Sequence, residues 1–194
     1  MSNHPEPPIG DEADLIRSAQ AGDRSAFATI VDRYWERLYR WLCRLTRDAS
    51  TAEDITQETF LKAFAAIQRF QAGSNLKAWL FRIAHNSFVN QRRAIKNNRK
   101  PLVPEIAEDP KNPVGEALTK EAMLLIAEAV AKLPSDFRGA LVLRIDERLS
   151  FRDIAEVMGI TEETARWRVF KARQKLMGLL SPDLLPAKNE PMSS

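Results

Sequence analysis

"LSFRDIAEVMGITEETARWRVFKARQKL", residues 149–176, contains two short helical patterns separated by a tight turn. Ser150 with Asp153 three residues on has the form of a capping box opening a helix over 151–158. Ile154, Ala155 and Met158 are its inward residues. Gly159 falls where a turn needs positive φ, and Ile160 buries beneath that turn. Thr161 then caps a second helix, with Glu162 and Glu163 near its positive end. In that helix Ala165, Val169, Ala172 and Leu176 recur by four, three and four and face a core. Arg166, Trp167, Phe170, Lys171, Arg173 and Gln174 are displaced from that stripe. A second helix with a basic and aromatic outer face suits the major groove: arginines pair with guanine edges, rings meet thymine methyls, and cations hold phosphates. The bland alternative is a helical hairpin with a solvated face, and the Gly-Ile turn with its Thr cap weighs against it.

Upstream, Met123, Leu124, Ile126, Ala127, Val130 and Leu133 form an apolar helical pattern that Pro134-Ser135 breaks. Phe137, Leu141, Val142 and Ile145 mark another helix. The second helical unit therefore runs over 116–180, followed by a Pro-containing tail, 181–194. Before it, "NNRKPLVPEIAEDPKNPVG", residues 97–115, carries four prolines and no sustained period, which reads as a linker.

The first half is helical throughout. Gly22 ends a short helix starting near Asp14, and Asp23 caps a longer one with Phe27, Ile30, Val31, Tyr34, Leu38, Trp41, Leu42 and Leu45 inward. Ser50 or Thr51 is expected to cap a third helix, with Ile55, Thr59, Ala63, Phe60, Phe64 and Ile67 on its core side. Ser74 is expected to cap a fourth. With residues 1–11 polar and Pro-rich, and expected to be disordered, the first unit covers 12–96. The fold class is all-α: a four-helix bundle and a helix-turn-helix unit on a flexible connector.

The third helix presents Asp54, Gln57, Glu58 and Leu61 at i, i+3, i+4 and i+7, one stripe set apart from the buried one. Acids there are either macrodipole partners or a contact surface for a basic partner, which the outward Leu61 favours. The fourth helix, "WLFRIAHNSFVNQRR" over 79–93, holds rings, amides and arginines but no acid. Trp79, Phe81 and Phe88 can stack on unpaired bases, Asn86 and Asn90 can read base edges, and Arg92 and Arg93 can track a phosphate backbone. Leu80, Ile83 and Ala84 define its buried side, so Trp79 is also a candidate wall of the core.

Composition agrees. The 194 residues are 44% hydrophobic and 28% charged, with 7 glycines and a formal charge of +3. The single cysteine, Cys43, lies in an apolar helical pattern, so a reducing compartment and a cytoplasmic location are expected. The start has neither the basic nor the apolar region of a signal peptide, and no apolar run approaches the ~20 residues of a membrane span. No metal-ligand cluster, nucleophile–base pair or phosphate-binding glycine loop is apparent, so neither a catalytic role nor a cofactor or metal is expected. His85 stands alone among these residues.

Taken in order, "AGDRSAFATIVDRYW", "AEDITQETFLKAF", "LKAWLFRIAHNSFVNQRR", "LPSDFRGALVLR" and the opening helix-turn-helix resemble the successive motifs of the extracytoplasmic-function sigma factors of the sigma-70 superfamily. The resemblance covers about residues 12–95 and 116–180. It implies a bacterial initiation factor whose first domain binds core RNA polymerase and melts the minus-ten element, and whose second reads the minus-thirty-five element. By position it implies that Asp54, Gln57, Glu58 and Leu61 dock on the polymerase clamp coiled coil. Asn86 would recognise minus-ten bases, with Asn90, Arg92, Arg93 and Trp79 on the same helix, and the turn holding Phe70, Ser74 and Asn75 would pocket a flipped base. Arg166, Trp167, Phe170, Lys171 and Arg173 would face the upstream duplex. An anti-sigma factor is a further implied partner. Trp167 and His85 depart from the family's usual choices. The rival expectation is a helix-turn-helix regulator that works without polymerase.

Overall fold

The computed structural model describes residues 9–71, 73–97 and 120–180. The expected linker, apart from Asn97, and the tail lie outside these residues, as does most of the N-terminal segment expected to be disordered. The described chain contains eight α-helices: α1 Ile9–Gln20, α2 Arg24–Thr46, α3 Ala49–Ala66, α4 Leu76–Asn97, α5 Lys120–Ala131, α6 Ser135–Ile145, α7 Phe151–Met158 and α8 Glu162–Leu179, with a 3-10 turn at Ile67–Arg69 after α3. Helix α1 begins at Ile9, ahead of both the expected start near Asp14 and the domain boundary placed at 12.

The caps explain where the helices start. Asp23 accepts from the backbone N–H of Ser25 and Ala26, which opens α2 as expected. The cap of α3 is Asp48, whose carboxylate accepts from Thr51 N–H at 3.0 Å, in place of Ser50 or Thr51. Helix α4 is opened by Asn75, whose Oδ1 accepts from Ala78 N–H at 3.1 Å, in place of Ser74. In each case the side-chain oxygen reaches the N–H three residues on, and only these two residues stand at that spacing from the first helical turn. Asp48 and Asn75 lie one residue outside the helices they open, whereas the expected cap of α3 lies within it.

The first bundle packs α2 against α3 and α4 around Ile30, Leu38, Trp41, Leu42, Ile55, Leu76, Leu80 and Phe81, each no more than 1% exposed. The expected stripe of α2 is reproduced, with Val31 partly buried at its margin. Phe64 does not join the core of α3: it is 51% exposed and lies edge-on to Phe27, with ring centroids 5.0 Å apart. On α5, Leu124 is likewise 58% exposed; Ala129 is buried, as is Leu133 just past the end of the helix.

In the second bundle Ser150 and Asp153 form the reciprocal capping box of α7, and Gly159 adopts φ +63°. The N–H groups of Gly159 and Ile160 both turn back to the carbonyl of Ala155, and Thr161 caps α8 through Thr164 N–H. Ile154 and Val157 from α7 meet Ala165, Val169 and Ala172 from α8 in a fully buried seam. The small alanines let the two helices approach closely enough for a tight helix-turn-helix.

The two bundles share one apolar core, with α6 and α7 seated on α2 and α4. The indole N–H of Trp41 donates to the carbonyl of Gly139 at 3.3 Å. A Cβ at Gly139 would lie 3.0 Å from the Leu45 side chain, so a residue without a side chain suits that crossing.

Candidate nucleic-acid and polymerase interfaces

Helix α3 displays Asp54, Gln57, Glu58 and Leu61 on its solvent side, and Leu61 is 72% exposed. Because Asp48 sets the helix start, neither acid lies in the first turn. The macrodipole is felt mainly within that turn, so it does not account for their placement. Phe64, three residues past Leu61, adds a second exposed apolar group beside this stripe. The helical period places Phe64 alongside the core stripe of Ile55, Thr59 and Ala63, and its edge-on contact with Phe27 leaves it half exposed. Lys62 pairs with Glu58 at 2.6 Å and donates to the buried Ser87 hydroxyl of α4 at 2.9 Å, so one ammonium ties the acidic stripe to the next helix.

Helix α4 divides its residues sharply. Phe81 and Phe88 are 0% and 5% exposed, so these rings belong to the core and are not free to stack on bases. Burial follows from their spacing of three and four with Ala84, which puts all three on the bundle side. Trp79 is partly buried against the ring of Phe70, centroids 5.1 Å apart, and Phe70 itself is buried. The turn candidate Phe70 is thus a support for Trp79 rather than an open reading surface. Ser74 and Asn75 are exposed, the latter with its amide oxygen engaged as the α4 cap. Asn86, Asn90 and Arg93 are exposed in a row with Arg82, at steps of four, four and three. Arg92 lies over the Phe88 ring and donates to the Ser135 hydroxyl of α6 at 2.8 Å.

Asn86, Asn90, Arg92 and Arg93 line a cleft of about 530 Å³ whose far wall is Asp136, Met158 and Arg168 of the second bundle. His85 is at its edge, tilted 6.3 Å from the Trp41 ring. Burial holds its imidazole below the usual histidine range; Asp136 pulls it back up and Arg168 pushes it further down. Among the described residues no cluster of His, Cys, Asp or Glu could hold a metal ion.

On α8, Arg166, Phe170 and Arg173 form an exposed row, with Phe170 61% exposed. Arg166 is held by Glu162 at 3.0 Å and lies over the Phe151 ring, which orients its guanidinium. Trp167 is 51% exposed and packs one side against Phe137 of α6, and Lys171 is held by Gln174. No helix among the described residues is long and apolar enough to cross a membrane.

Two family models match the two bundles: sigma-70 region 2 over residues 30–98 and sigma-70 region 4 over 123–176. The RNA polymerase sigma-H factor of Pseudomonas aeruginosa is 34% identical, over 89% of this chain and 95% of its own length. The chain belongs to the extracytoplasmic-function sigma factors. The sigma-E factor of this class from Haemophilus influenzae is 33% identical, over 90% of this chain and 97% of its own. Among solved structures, the sigma factor RpoE of Bartonella quintana, crystallised with the anti-sigma factor NepR, is 30% identical with a TM-score of 0.67, covering 81% of this chain and 98% of that one. CnrH, in its complex with the cytosolic domain of CnrY, shares the fold at 24% identity and a TM-score of 0.65, over 88% and 97% of the two chains. This sigma factor is not an enzyme: it binds core RNA polymerase and directs it to promoters.

Proposed function

We propose that the promoter-directing work is divided among three surfaces. The stripe Asp54, Gln57, Glu58 and Leu61, extended by Phe64, docks on the polymerase clamp coiled coil. Asn86 and Asn90 read unpaired minus-ten bases while Arg93 and, once released from Ser135, Arg92 hold the strand's phosphates. Arg166, Phe170 and Arg173, with Lys171 beside them, face the minus-thirty-five duplex. Trp167 meets DNA with the side that Phe137 leaves open. Residues 12–96 and 116–180 act as two units, and the work is done in the cytoplasm, where an anti-sigma factor covering these same faces is the natural regulator.

The observation that carries this reading is the sorting of α4, where both phenylalanine rings are buried and the row Arg82, Asn86, Asn90 and Arg93 is exposed. Amides flanked by cations fit bases splayed from a duplex, whose Watson–Crick edges are otherwise hidden. Replacing Asn86 with Ala is expected to leave polymerase binding unchanged and to slow open-complex formation about 5- to 150-fold, corresponding to ~1–3 kcal/mol for one amide–base pairing. Permanganate reactivity of minus-ten thymines measures melting, and anisotropy measures polymerase binding. Equal loss of both would refute the role.

A further inference from the structure

We propose that Gln20, the last residue of α1, is a positioning residue for minus-ten reading, its side-chain amide bracing the turn that leads into α4. The role rests on the reading of Asn86 and Asn90 given above and lies wholly within the first bundle.

The brace starts from a rigid base. Gly22 adopts φ +95° and donates its N–H to Ala19 O at 3.1 Å, while Asp23 N–H reaches back to Ser18 O at 3.0 Å. This pair of bonds is the Schellman ending of a helix, and Asp23 at once caps α2. Gln20 is therefore locked in a last turn between two helix termini, with Ile16 and Ala19 of the same helix buried. From there its Nε2 donates to Ile67 O at 3.0 Å and to Phe70 O at 2.7 Å. An amide nitrogen carries two hydrogens, and both are directed at carbonyls 47 and 50 residues away in sequence. Because the acceptors are main chain, the bonds fix the path of the chain rather than any one side chain. The Ile67 carbonyl also takes Phe70 N–H at 3.0 Å, so the chain leaving the 3-10 turn is held from two sides.

That turn is the end of the α4 row. Asn75, Trp79, Arg82, Asn86, Asn90 and Arg93 follow one another by four, three, four, four and three, so the cap of α4 and the open side of Trp79 continue the face of Asn86 and Asn90. The row is ~27 Å long at 1.5 Å per residue, up to about eight nucleotides of a stacked strand at 3.4 Å each. An unpaired strand following Arg93, Asn90 and Asn86 thus arrives at the turn, where Gly73, Ser74 and Asn75 are exposed. Buried Phe70 backs Trp79 there, and its carbonyl takes the shorter of the two Gln20 bonds. Between Phe70 and Leu76 the described residues are all exposed, so packing holds the turn only at its two ends. The Gln20 bonds set the direction in which it leaves Phe70.

The test uses holoenzyme assembled from core polymerase and the full chain. Gln20→Met keeps the length of the side chain and removes both donors; Gln20→Lys returns donors to the same two carbonyls. At the net worth of two neutral hydrogen bonds the turn is biased by about 5- to 30-fold. Gln20→Met should slow open-complex formation by that factor with polymerase affinity unchanged, and Gln20→Lys should recover most of the rate. Unimpaired melting by Gln20→Met, a parallel loss of polymerase affinity, or a rate as slow in Gln20→Lys would overturn the role. Single-stranded minus-ten oligonucleotides shortened one nucleotide at a time separate positioning from a general loosening of the bundle. The affinity lost in Gln20→Met should vanish on shortening from one end, where the strand meets the turn, and persist on shortening from the other. A loss equal on every oligonucleotide would also overturn it. Asn86→Ala is measured beside these variants: a defect there with none in Gln20→Met sinks only the brace, whereas no defect in Asn86→Ala sinks the reading on which the brace rests.

Discussion

Reversing both acids of the α3 stripe, Asp54→Arg with Glu58→Arg, separates docking from folding because the structure sets the two costs far apart. Both side chains are exposed and neither packs in the core. The ion pair Glu58 loses is an i,i+4 contact to Lys62 with both partners about half exposed, worth ~0.3–0.5 kcal/mol. The like-charge neighbour created costs a similar amount. Fold stability should therefore fall by about 1 kcal/mol or less, a Tm shift of ~2–4 °C for a chain this size. At a polymerase interface, by contrast, removing one member of a desolvated charge pair costs ~2–5 kcal/mol. Two reversals at the low end give ~4 kcal/mol, close to a thousandfold in Kd. Fluorescence-detected titration with core polymerase, beside a thermal melt of each protein, measures both. A Kd within threefold of the unsubstituted chain at unchanged Tm would refute the docking assignment.

Two further outcomes follow from the second bundle and the cleft. Gly159 adopts φ +63° in the helix-turn-helix; Gly159→Val should cost ~1–2 kcal/mol, seen as a lower denaturation midpoint together with weaker binding to minus-thirty-five duplex. A lower midpoint with undiminished DNA affinity would show that the turn does not orient α8. His85, faced by Asp136 of α6 and Arg168 of α8 and near Arg92 and Arg93, is half-buried, and desolvation sets its folded-state pKa below its ordinary 6.5. The unfolded chain therefore binds the extra proton first, so stability is full above pH 6.5 and falls as the pH drops from there toward the depressed value. The loss of Tm between pH 7.5 and 5.5 should shrink in His85→Phe, and an identical loss in both proteins would contradict the burial argument.

The helix-turn-helix was legible because its signals are local. Ser150 with Asp153, Gly159 and Thr161 each satisfy or release a backbone group within three or four residues, and those requirements do not depend on the rest of the fold. The α3 stripe was legible from its period, but its meaning turned on a cap one residue outside the helix, Asp48, that decided which residues make the first turn. The rings of α4 are ambiguous in sequence for a different reason. Period places Phe81 and Phe88 with Ala84, yet arginines and asparagines interleave with them on the same helix, and only packing decides which side each ring takes. Trp79 lies at its edge, where one face is covered by Phe70 and the other is not. The packing of one bundle on the other left no trace in the pattern. Arg138 reads as a surface arginine until two helix ends from different bundles converge on it, and Glu147 reads as a loop acid until Arg37, 110 residues away in sequence, closes over it.

Promoter choice by RNA polymerase should depend on both bundles of this chain together. In vitro transcription with core polymerase over a genomic promoter library, sequencing the transcripts made with and without the protein, measures this. A discrete set of start sites should appear only when the protein is present, sharing sequence near both minus-ten and minus-thirty-five and lost with Asn86→Ala. Start sites that do not change on adding the protein, alongside sequence-specific DNA binding without polymerase, would contradict it.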